Sequence, residues 1–379
     1  MNLERLPTSI AKYHSVDQLS NIVSRYKARK ILFVTGKHSF EMCGAKSFIE
    51  STFHTDDYFV FNDFSVNPKL EDSIKGARLA LQHQIDIIVA IGGGSVMDIA
   101  KLIKAFIPSI ENAEAIAKSE MPVINTTIPL IAVPTTAGSG SEATHFAVVY
   151  IGKQKFSLAD QCLLPDAAIL DGTLLYSASP YQKAINGLDA LAQAIEGCWA
   201  VKSTSETRIK SILAIQLLMA HLPSAINQNS IEDLQKIMYA AHLAGQVINV
   251  TKTTAPHAFS YSFTSNQGIP HGHAVWLTLP TIFELHLNAR EDQIIDPRGP
   301  DHLYQVMNRL VEALSIKGGL PEVYLKAFMK KIGVEPEMKM LGVNTIEDRL
   351  FASKQVNRER LKNNPMRFSK QNIAKIFYL

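Results

Sequence analysis

The chain has few cysteines and almost no excess of charge of either sign. Its three cysteines, Cys43, Cys162 and Cys198, are scattered over 379 residues, and none lies in a Cys-x-x-Cys pattern. An odd number of widely spaced cysteines argues against a disulfide framework and indicates a reducing compartment. The formal net charge is only +3, so composition gives no support for a protein that binds nucleic acid or a membrane surface.

Targeting and membrane-spanning signals are also missing from the sequence pattern. The segment Met1–Pro7 has neither an apolar stretch nor a small-residue cleavage site of the secretory type. No apolar run looks long enough to cross a bilayer, and there is no internal repeat or low-complexity tract. We therefore expect a cytoplasmic protein, and its 46% hydrophobic content allows a large core divided between two domains.

The distribution of apolar residues indicates two kinds of architecture in succession. Up to about residue 178, short β-branched runs such as Lys30–Val34, Asp86–Ile91 and Leu130–Val133 alternate with helical patterns, which predicts a parallel α/β sheet. From residue 179 onward, long amphipathic patterns dominate and few strand signals remain. The fold class expected is an α/β domain at 1–178 followed by an all-helical domain at 179–379.

Two glycine-rich turns follow apolar strands in the first domain. Gly92-Gly93-Gly94-Ser95 leads from a strand into a helix, which is the geometry in which backbone N–H groups and a helix N-terminus bind phosphate. The turn matches neither Gly-x-Gly-x-x-Gly nor the Walker A pattern, and an ordinary glycine-rich turn is the alternative. The second turn runs from Pro134 to Glu142, where Thr135, Thr136 and Ser139 can bind phosphate or ribose. Two such turns on neighbouring strands predict a dinucleotide at the edge of the sheet.

The second domain carries a candidate metal site. Asp189 and Gln193 are four residues apart in a helical pattern, so their side chains project from the same face. His257 and His271 follow in the motifs Ala-Pro-His and Pro-His-Gly. One carboxylate, one amide oxygen and two imidazoles would form a mixed oxygen and nitrogen site for a divalent first-row metal.

These motifs, in this order, resemble the iron-containing (group III) alcohol dehydrogenase family. The resemblance covers essentially the whole chain and implies a dehydroquinate-synthase-like architecture, with metal and nicotinamide in the cleft between the domains. It implies that Asp189, Gln193, His257 and His271 hold Fe²⁺ or Zn²⁺. For the cofactor, it implies contacts from Gly93, Gly94, Ser95, Asp98, Thr135, Thr136, Ser139 and Lys155.

Two positions depart from the pattern of this family. Position 193 is usually His and is here Gln193, which keeps the charge of the site but predicts weaker binding and a changed metal preference. The alternative is that the metal has been lost. Position 261 is often His and is here Tyr261, a poor base at neutral pH. We name Tyr261 and His273 as catalytic candidates. Tyr261 can serve in a proton relay or simply in packing. His273 can serve as a substitute metal ligand or in a relay, and a position outside the ligand set or facing solvent is the alternative.

The turn after the first buried strand bears on the choice of cofactor. Many relatives carry there an acidic residue that binds the adenosine ribose, and this chain has Gly36, followed by Lys37 and Ser39. A lysine and a hydroxyl at this turn can bind a 2′-phosphate, so we favour NADP(H) over NAD(H). The alternative is that Gly36 is only a turn residue and Lys37 points to water.

The resemblance implies reversible interconversion of an alcohol and an aldehyde. One branch of the family, which includes phosphonoacetaldehyde reductases and the oxidase of the 8-hydroxyl of the sugar acid Kdo, is the most similar in its motifs, and we expect a small anionic substrate. Candidates to pair with its charge are Lys155, Lys202, Arg208 and Lys252. A dehydroquinate-synthase-like lyase and a metal-free, non-catalytic relative are the alternatives. Relatives are commonly dimers, so a homodimer or larger homo-oligomer is expected.

Overall fold

The computed structural model describes residues 8–12, 14–65, 67–356 and 358–379. Contacts between Cα atoms divide the chain into two compact units, Met1–Ala178 and Ser179–Leu379. The first unit is an α/β domain and the second is helical, which is the fold class that the sequence predicts.

The first unit contains a parallel sheet. Its strands pair in the order β1-β8-β5-β4-β2-β3 in the described part of the chain, while β6 and β7 form a separate antiparallel hairpin. The runs that the sequence predicts as buried strands are β2, β4 and β5, whereas β1, the hairpin and β8 were not predicted. The strands are β1 (Thr8–Ala11), β2 (Ile31–Thr35), β3 (Tyr58–Phe61), β4 (Ile87–Gly92), β5 (Leu130–Pro134), β6 (Phe146–Ile151), β7 (Gln154–Ala159) and β8 (Ala167–Leu170).

Helices cover both faces of this sheet. Alternate residues of β2 and β4 point to opposite sides, so Leu32 and Ile88 belong to one apolar cluster and Phe33 and Val89 to the other. Because both faces are buried, these strands are continuously apolar instead of alternating. The helices of this unit are α1 (Leu19–Arg25), α2 (Ser39–Met42), α3 (Ala45–Thr52), α4 (Leu70–Gln82), α5 (Gly94–Phe106) and α6 (Ala113–Ala117).

The register of the strands brings the glycine-rich turns together. Gly92 at the end of β4 pairs with Pro134 at the end of β5, and Thr35 at the end of β2 pairs with Ile91. Because the strands are parallel, the turns that follow all three lie at the same edge of the sheet. The prediction that the two glycine-rich turns follow neighbouring strands is confirmed.

The second unit is helical. In its described part, the backbone pairing of β type is a single isolated bridge between Ile294 and Met366. Its first helix begins at Pro180, preceded by a capping box in which Ser179 and Gln182 satisfy each other's backbone N–H groups. The helices are α7 (Pro180–Trp199), α8 (Ser205–Asn227), α9 (Ile231–Thr251), α10 (Ala255–Gln267), α11 (His271–Trp276), α12 (Leu279–Leu287), α13 (Pro300–Ala313), α14 (Pro321–Lys331), α15 (Ile346–Lys354), α16 (Arg358–Lys362) and α17 (Lys370–Phe377).

The expectation that no apolar run could cross a bilayer is wrong for α8. By length and composition this helix could span a membrane, and 39% of its most apolar window is buried within the protein. Leu218 and Leu222 are fully buried, whereas Ile209 is 70% exposed. A core helix of a helical domain meets the same criterion of length and composition, because burial against neighbouring helices also selects apolar residues.

Candidate metal centre and nucleotide-binding turns

Three ligand side chains of the second unit converge on one point. Asp189 lies on α7, His257 is the third residue of α10, and His271 is the first residue of α11. Their ligand atoms all lie within 4.8 Å of one another. The Oδ1 atom of Asp189 is 3.3 Å from Nε2 of His257 and 4.0 Å from Nε2 of His271. Two atoms that each lie about 2.0–2.2 Å from a shared ion can be up to about 4.4 Å apart, so these two distances suit a common metal.

Gln193 lies one helical turn after Asp189 and is 4% exposed. Asp189 is similarly buried at 7%, whereas the side chain of His271 is 43% exposed. Both residues belong to α7, as the helical pattern of the sequence predicts, and both are buried. The cluster is therefore enclosed on the side of α7 and open on the side of His271.

A glycine allows α11 to approach α7 at this point. A Cβ atom on Gly272 would lie 2.0 Å from the backbone oxygen of Ile185 and 2.9 Å from Cβ of Asp189. A side chain of any size at this position would collide with the backbone of the helix that carries Asp189. Gly272 thus explains why the motif Pro-His-Gly places His271 beside the carboxylate.

Glu196 fixes the orientation of His257. Its side chain is fully buried, and Oε2 accepts a hydrogen bond from Nδ1 of His257. Its other oxygen accepts hydrogen bonds from the backbone N–H groups of Thr254 and His257, at 3.0 and 3.3 Å, and from Oγ1 of Thr254 at 2.9 Å. Glu196 therefore caps the N-terminus of α10. With its proton on Nδ1, His257 turns Nε2 toward Asp189 with a lone pair available for a metal.

The protonation preferences of the cluster fit a site for a cation. Burial by itself would raise the pKa of Asp189, but His257, His271 and Arg360 hold it below its ordinary value. Burial would lower the pKa of His257, but Glu196 and Asp189 more than offset that effect and raise it. Two buried carboxylates thus favour positive charge at this point, which a metal ion supplies as well as a proton does.

One atom of the cluster has an unused bonding capacity. Oδ1 of Asp189 is buried and accepts no hydrogen bond of good geometry, although Nε2 of His257 is nearby. Burying an ionised carboxylate oxygen without a partner is costly, and coordination of a divalent ion removes that cost. The residues present therefore fit a divalent metal, held by Asp189, His257 and His271 with Gln193 beside them.

Tyr261 and Arg360 adjoin this cluster. Tyr261 follows His257 by one turn of α10, so the two side chains occupy the same side of that helix. The guanidinium carbon of Arg360, on α16, lies 5.6 Å from the centre of the Tyr261 ring. Tyr261 is a candidate from its sequence motif. Arg360 is not, because it lies far from Tyr261 along the chain and the sequence gives no signal of their contact.

His273 occupies a different environment from His271. Its Nδ1 atom is 2.9 Å from the hydroxyl of Tyr181, and Nε2 is 2.7 Å from the backbone oxygen of Glu335. The ring is 2% exposed, and both of its nitrogens are engaged in hydrogen bonds. This arrangement favours a role in holding α11 in place over the catalytic relay that the sequence analysis considered.

The two glycine-rich turns of the first unit pack closely against each other. A Cβ atom on Gly94 would lie 3.0 Å from Oγ of Ser139, and one on Gly93 would lie 3.3 Å from Thr136. The backbone N–H of Thr135 donates to the carbonyl of Gly92 at 3.0 Å. Small residues thus allow the two turns to pack against each other. Their backbone N–H groups lie near the N-terminus of α5, and Ser95 belongs to the first turn of that helix.

Asp98 and Lys101 connect these turns to the neighbouring hairpin. Asp98 accepts hydrogen bonds from Oγ of Ser141 at 3.0 Å and from the backbone N–H of Val148 at 3.2 Å. The fully buried Lys101 donates to Ser141 and to the carbonyl of Phe146. Burial lowers the pKa of Lys101 to about 8, although Asp98 opposes that shift. Asp98, predicted to bind cofactor, is placed here to hold the second turn, and Lys101, which was not predicted, shares that role.

The turn after β2 has an exposed lysine and a confined glycine. Nζ of Lys37 is 3.8 Å from Oδ1 of Asp63, and the side chain of Lys37 is 58% exposed. A Cβ atom on Gly36 would lie 2.4 Å from Oγ of Ser39, the first residue of α2. Lys155 lies exposed on β7. Burial raises the pKa of Asp98, and the positive charge of Lys155 offsets only part of that increase.

Arg208 is engaged at the beginning of α8. Its guanidinium donates to the backbone oxygen of Ser203 at 3.4 Å and to Oγ of Ser205 at 3.2 Å. These contacts explain the presence of Arg208 by local structure, without a substrate.

Models of one family match nearly the whole chain. Residues 7–172 match the iron-containing alcohol dehydrogenase model, and residues 183–378 match the C-terminal model of the Fe-containing alcohol dehydrogenase family. The boundary between the α/β unit and the helical unit, at Ala178 and Ser179, lies in the short interval between the two matches.

Individual relatives are similar over most of their length. The phosphonoacetaldehyde reductase of Streptomyces viridochromogenes is 31% identical over 82% of this chain and 80% of its own. The NAD-dependent methanol dehydrogenase of Bacillus methanolicus is 27% identical over 98% of this chain and 97% of its own. Among solved structures, sulfoacetaldehyde reductase from Bifidobacterium kashiwanohense in complex with NAD⁺ superposes with a TM-score of 0.85, at 26% identity, over 98% of this chain and 96% of that one.

Proposed function

The chain belongs to the iron-containing alcohol dehydrogenase family, and on that premise we propose that it reduces a small anionic aldehyde, reversibly, with a nicotinamide cofactor and a divalent metal. The observation that carries this proposal is the convergence of Asp189, His257 and His271, with Glu196 behind His257. A purely structural cluster does not require a buried carboxylate oxygen that lacks a good hydrogen-bond donor.

A bound divalent metal would act as a Lewis acid that polarises a substrate oxygen. The contribution of the chain is to keep its ligands in the state that binding requires. Glu196 keeps the proton of His257 on Nδ1, and the neighbouring cations keep Asp189 ionised. Burial of Asp189 and Gln193 keeps water from competing for them, while exposure of His271 leaves one side open for a substrate.

The nicotinamide cofactor is assigned to the first unit. The contact between Gly93 and Gly94 on one turn and Thr136 and Ser139 on the other supports a closely packed phosphate cradle. One relative is named for NAD, and one neighbour was solved with NAD⁺. For this chain we propose a preference for NADPH, supported by Gly36, Lys37 and Ser39 at the turn after β2.

Comparing kcat/KM for NADPH and NADH tests the preference for the phosphorylated cofactor. We expect the value for NADPH to be higher, and Lys37→Met to lower it by ~10-fold while NADH is little affected, because the loss is that of a charge-assisted contact. Lys118→Met, which alters a half-buried lysine paired with Glu114, is the control. A higher kcat/KM for NADH in the unaltered protein rejects this preference.

The names of two similar proteins support the substrate class that we propose. One relative is named for phosphonoacetaldehyde and one structural neighbour for sulfoacetaldehyde. Both compounds are two-carbon aldehydes with an anionic group. We propose a substrate of this kind and an enzyme that works as a homodimer or larger oligomer in the cytoplasm.

The test is a substrate screen on protein reconstituted with Fe²⁺ or Zn²⁺, followed through NAD(P)H absorbance. Phosphonoacetaldehyde, sulfoacetaldehyde, an uncharged aldehyde of similar size and the sugar acid Kdo form the panel, and the first two should give the highest kcat/KM. Asp189→Ala and exhaustive chelation should each reduce the rate at least ~100-fold, because a Lewis acid contributes several kcal/mol. Undiminished activity after either change removes the metal from the reaction.

A further inference from the structure

Arg360 occupies a position that the reaction proposed above leaves unexplained. It lies on α16 and is half-buried, with its guanidinium carbon 5.6 Å from the centre of the Tyr261 ring. Tyr261 is one turn of α10 away from His257, a distance of about 5–6 Å between Cβ atoms. The guanidinium is therefore held within the neighbourhood of the ligand cluster by an aromatic ring on a helix that supplies one of the ligands.

The charge balance of the cluster makes this position informative. Asp189 and Glu196 together carry two negative charges, which a divalent ion would neutralise. Arg360 then adds one positive charge, which the ring of Tyr261 holds one helical turn from His257. A cation beside a metal ion is repelled unless an anion accompanies it. An anionic group of a substrate that lies near both the metal and Arg360 is attracted by each of the two positive charges.

We propose that Arg360 binds the anionic group of the substrate and thereby selects anionic over neutral aldehydes, with Tyr261 holding the guanidinium in position. The assignment rests on the proposed aldehyde reductase function and extends it to the residue that recognises the anionic group of the substrate. Arginine suits the task because its planar guanidinium donates two parallel hydrogen bonds to a phosphonate, sulfonate or carboxylate. Stacking on Tyr261 restricts the side chain before substrate arrives.

The other cations considered from the sequence fit this role less well. Arg208 is engaged by Ser203 and Ser205 at the start of α8. Lys252 directly follows α9 and has a positive φ of 57°, which ties its position to the end of that helix. The contact of Arg360 with Tyr261, by contrast, connects it to the helix that carries the proposed ligand His257.

The experiment measures the ratio of kcat/KM for phosphonoacetaldehyde to that for an uncharged aldehyde of similar size. Arg360→Met should lower this ratio ~100-fold, mainly through the KM of the anionic aldehyde, because two charge-assisted hydrogen bonds are lost. Arg360→Lys should lower the ratio less than Arg360→Met does. Lysine keeps the positive charge but cannot donate the two parallel hydrogen bonds of a guanidinium. Lys362→Met is the matched control, because it removes an equal charge from an exposed residue of the same helix and should keep the ratio.

Variants of Tyr261 separate positioning from direct binding. Tyr261→Phe keeps an aromatic ring beneath the guanidinium and should keep the ratio, whereas Tyr261→Ala should lower it ~5-fold. Calorimetry with 2-hydroxyethylphosphonate and zinc-loaded protein gives a readout independent of turnover, and Arg360→Met should weaken that binding ~100-fold. Circular dichroism and thermal unfolding confirm that each variant is folded.

Failure of this inference is distinguishable from failure of the proposed function. If Arg360→Met lowers kcat/KM equally for both aldehydes, or changes neither value, Arg360 does not read the anion, while the reductase assignment stands. If the unaltered protein reduces no aldehyde with either cofactor, the reductase assignment itself fails. Equal losses from Lys362→Met and Arg360→Met would show a general effect of charge and also overturn the inference.

Discussion

At the scale of single residues, Glu196 has two functions that depend on different oxygens. Oε1 caps α10 through the N–H groups of Thr254 and His257, and Oε2 accepts the hydrogen of Nδ1 of His257. The first function concerns folding and the second concerns the tautomer of a metal ligand. A neutral amide at this position preserves most of the first and disturbs the second.

Glu196→Gln should weaken metal binding 10–100-fold while lowering the melting temperature only modestly. The amide nitrogen would donate to Nδ1 of His257, which moves the ring proton to Nε2 and blocks coordination there. Competition with a chromophoric chelator measures the affinity. Glu284→Gln, which alters a buried glutamate paired with Lys375, is the control, and an equal loss in both variants would contradict the proposed role of Glu196.

Gln193 stands at the one position of the proposed ligand set where the resemblance to the family leads us to expect His. Gln193→His should strengthen Zn²⁺ binding ~10-fold, because imidazole nitrogen is a better ligand for zinc than an amide oxygen. The same competition assay measures it. Gln235→His, a change at another buried glutamine, serves as the control; unchanged zinc affinity in Gln193→His would mean that this side chain does not reach the metal.

At the scale of elements, the contact of α11 with α7 depends on one missing side chain. Gly272 faces the backbone oxygen of Ile185, and no rotation of a flexible neighbour can make room for a methyl group. The two helices must separate if that methyl group is present. His271 and Asp189 would then separate with them.

Gly272→Ala should therefore destabilise the helical unit by about 3 kcal/mol, as overpacking does when the backbone must shift. It should also weaken metal binding at least ~100-fold, since the ligand on α11 moves away. Denaturant unfolding and chelator competition measure the two effects. Gly268→Ala is the comparison, because Gly268 has open space around it and only a left-handed φ of 67°; it should cost about 1 kcal/mol and leave the metal affinity unchanged.

In the α/β unit, a large buried side chain fixes the position of a turn, whereas at Gly272 the lack of a side chain permits the contact. Lys101, fully buried, is satisfied by the carbonyls of Ser141 and Phe146 and by the hydroxyls of Ser141 and Thr144. A buried cation needs such a set of acceptors. The segment from Ser141 to Phe146 is thus fixed by a side chain of α5, and the turn before it inherits that fixed position.

At the scale of the whole molecule, the ligand groups are divided between units. The proposed metal ligands belong to Ser179–Leu379, and the proposed phosphate-binding turns belong to Met1–Ala178. Each ligand should therefore stabilise mainly the unit that holds its binding residues.

Hydrogen exchange followed by mass spectrometry tests this division. Saturating Zn²⁺ should slow exchange in α7 and α10, and saturating NADPH should slow it in β4, α5 and residues 134–142. At a thousand times Kd the stabilisation amounts to about 4 kcal/mol. Chelation should reverse the first effect alone. Protection by Zn²⁺ that is confined to residues 1–178 would contradict the proposed metal site.

The fold class was predictable because its signals are local. Continuous apolar runs in β2, β4 and β5 and long amphipathic patterns in α7 and α9 depend only on residues near in sequence. The hairpin β6–β7 was missed, since its strand Gln154–Ala159 is mostly exposed and carries little apolar pattern.

The candidate site was predictable only where a motif marked it. Asp189, Gln193, His257 and His271 stand in recognisable local contexts, and the sequence by itself determined them, the order of the motifs and the two architectures. Only the tertiary structure decided that Glu196 orients His257 across 61 residues, that Gly272 lets α11 touch α7, and that Arg360 lies against Tyr261. Those contacts depend on how helices pack, because packing joins residues whose spacing along the chain carries no signal of their proximity.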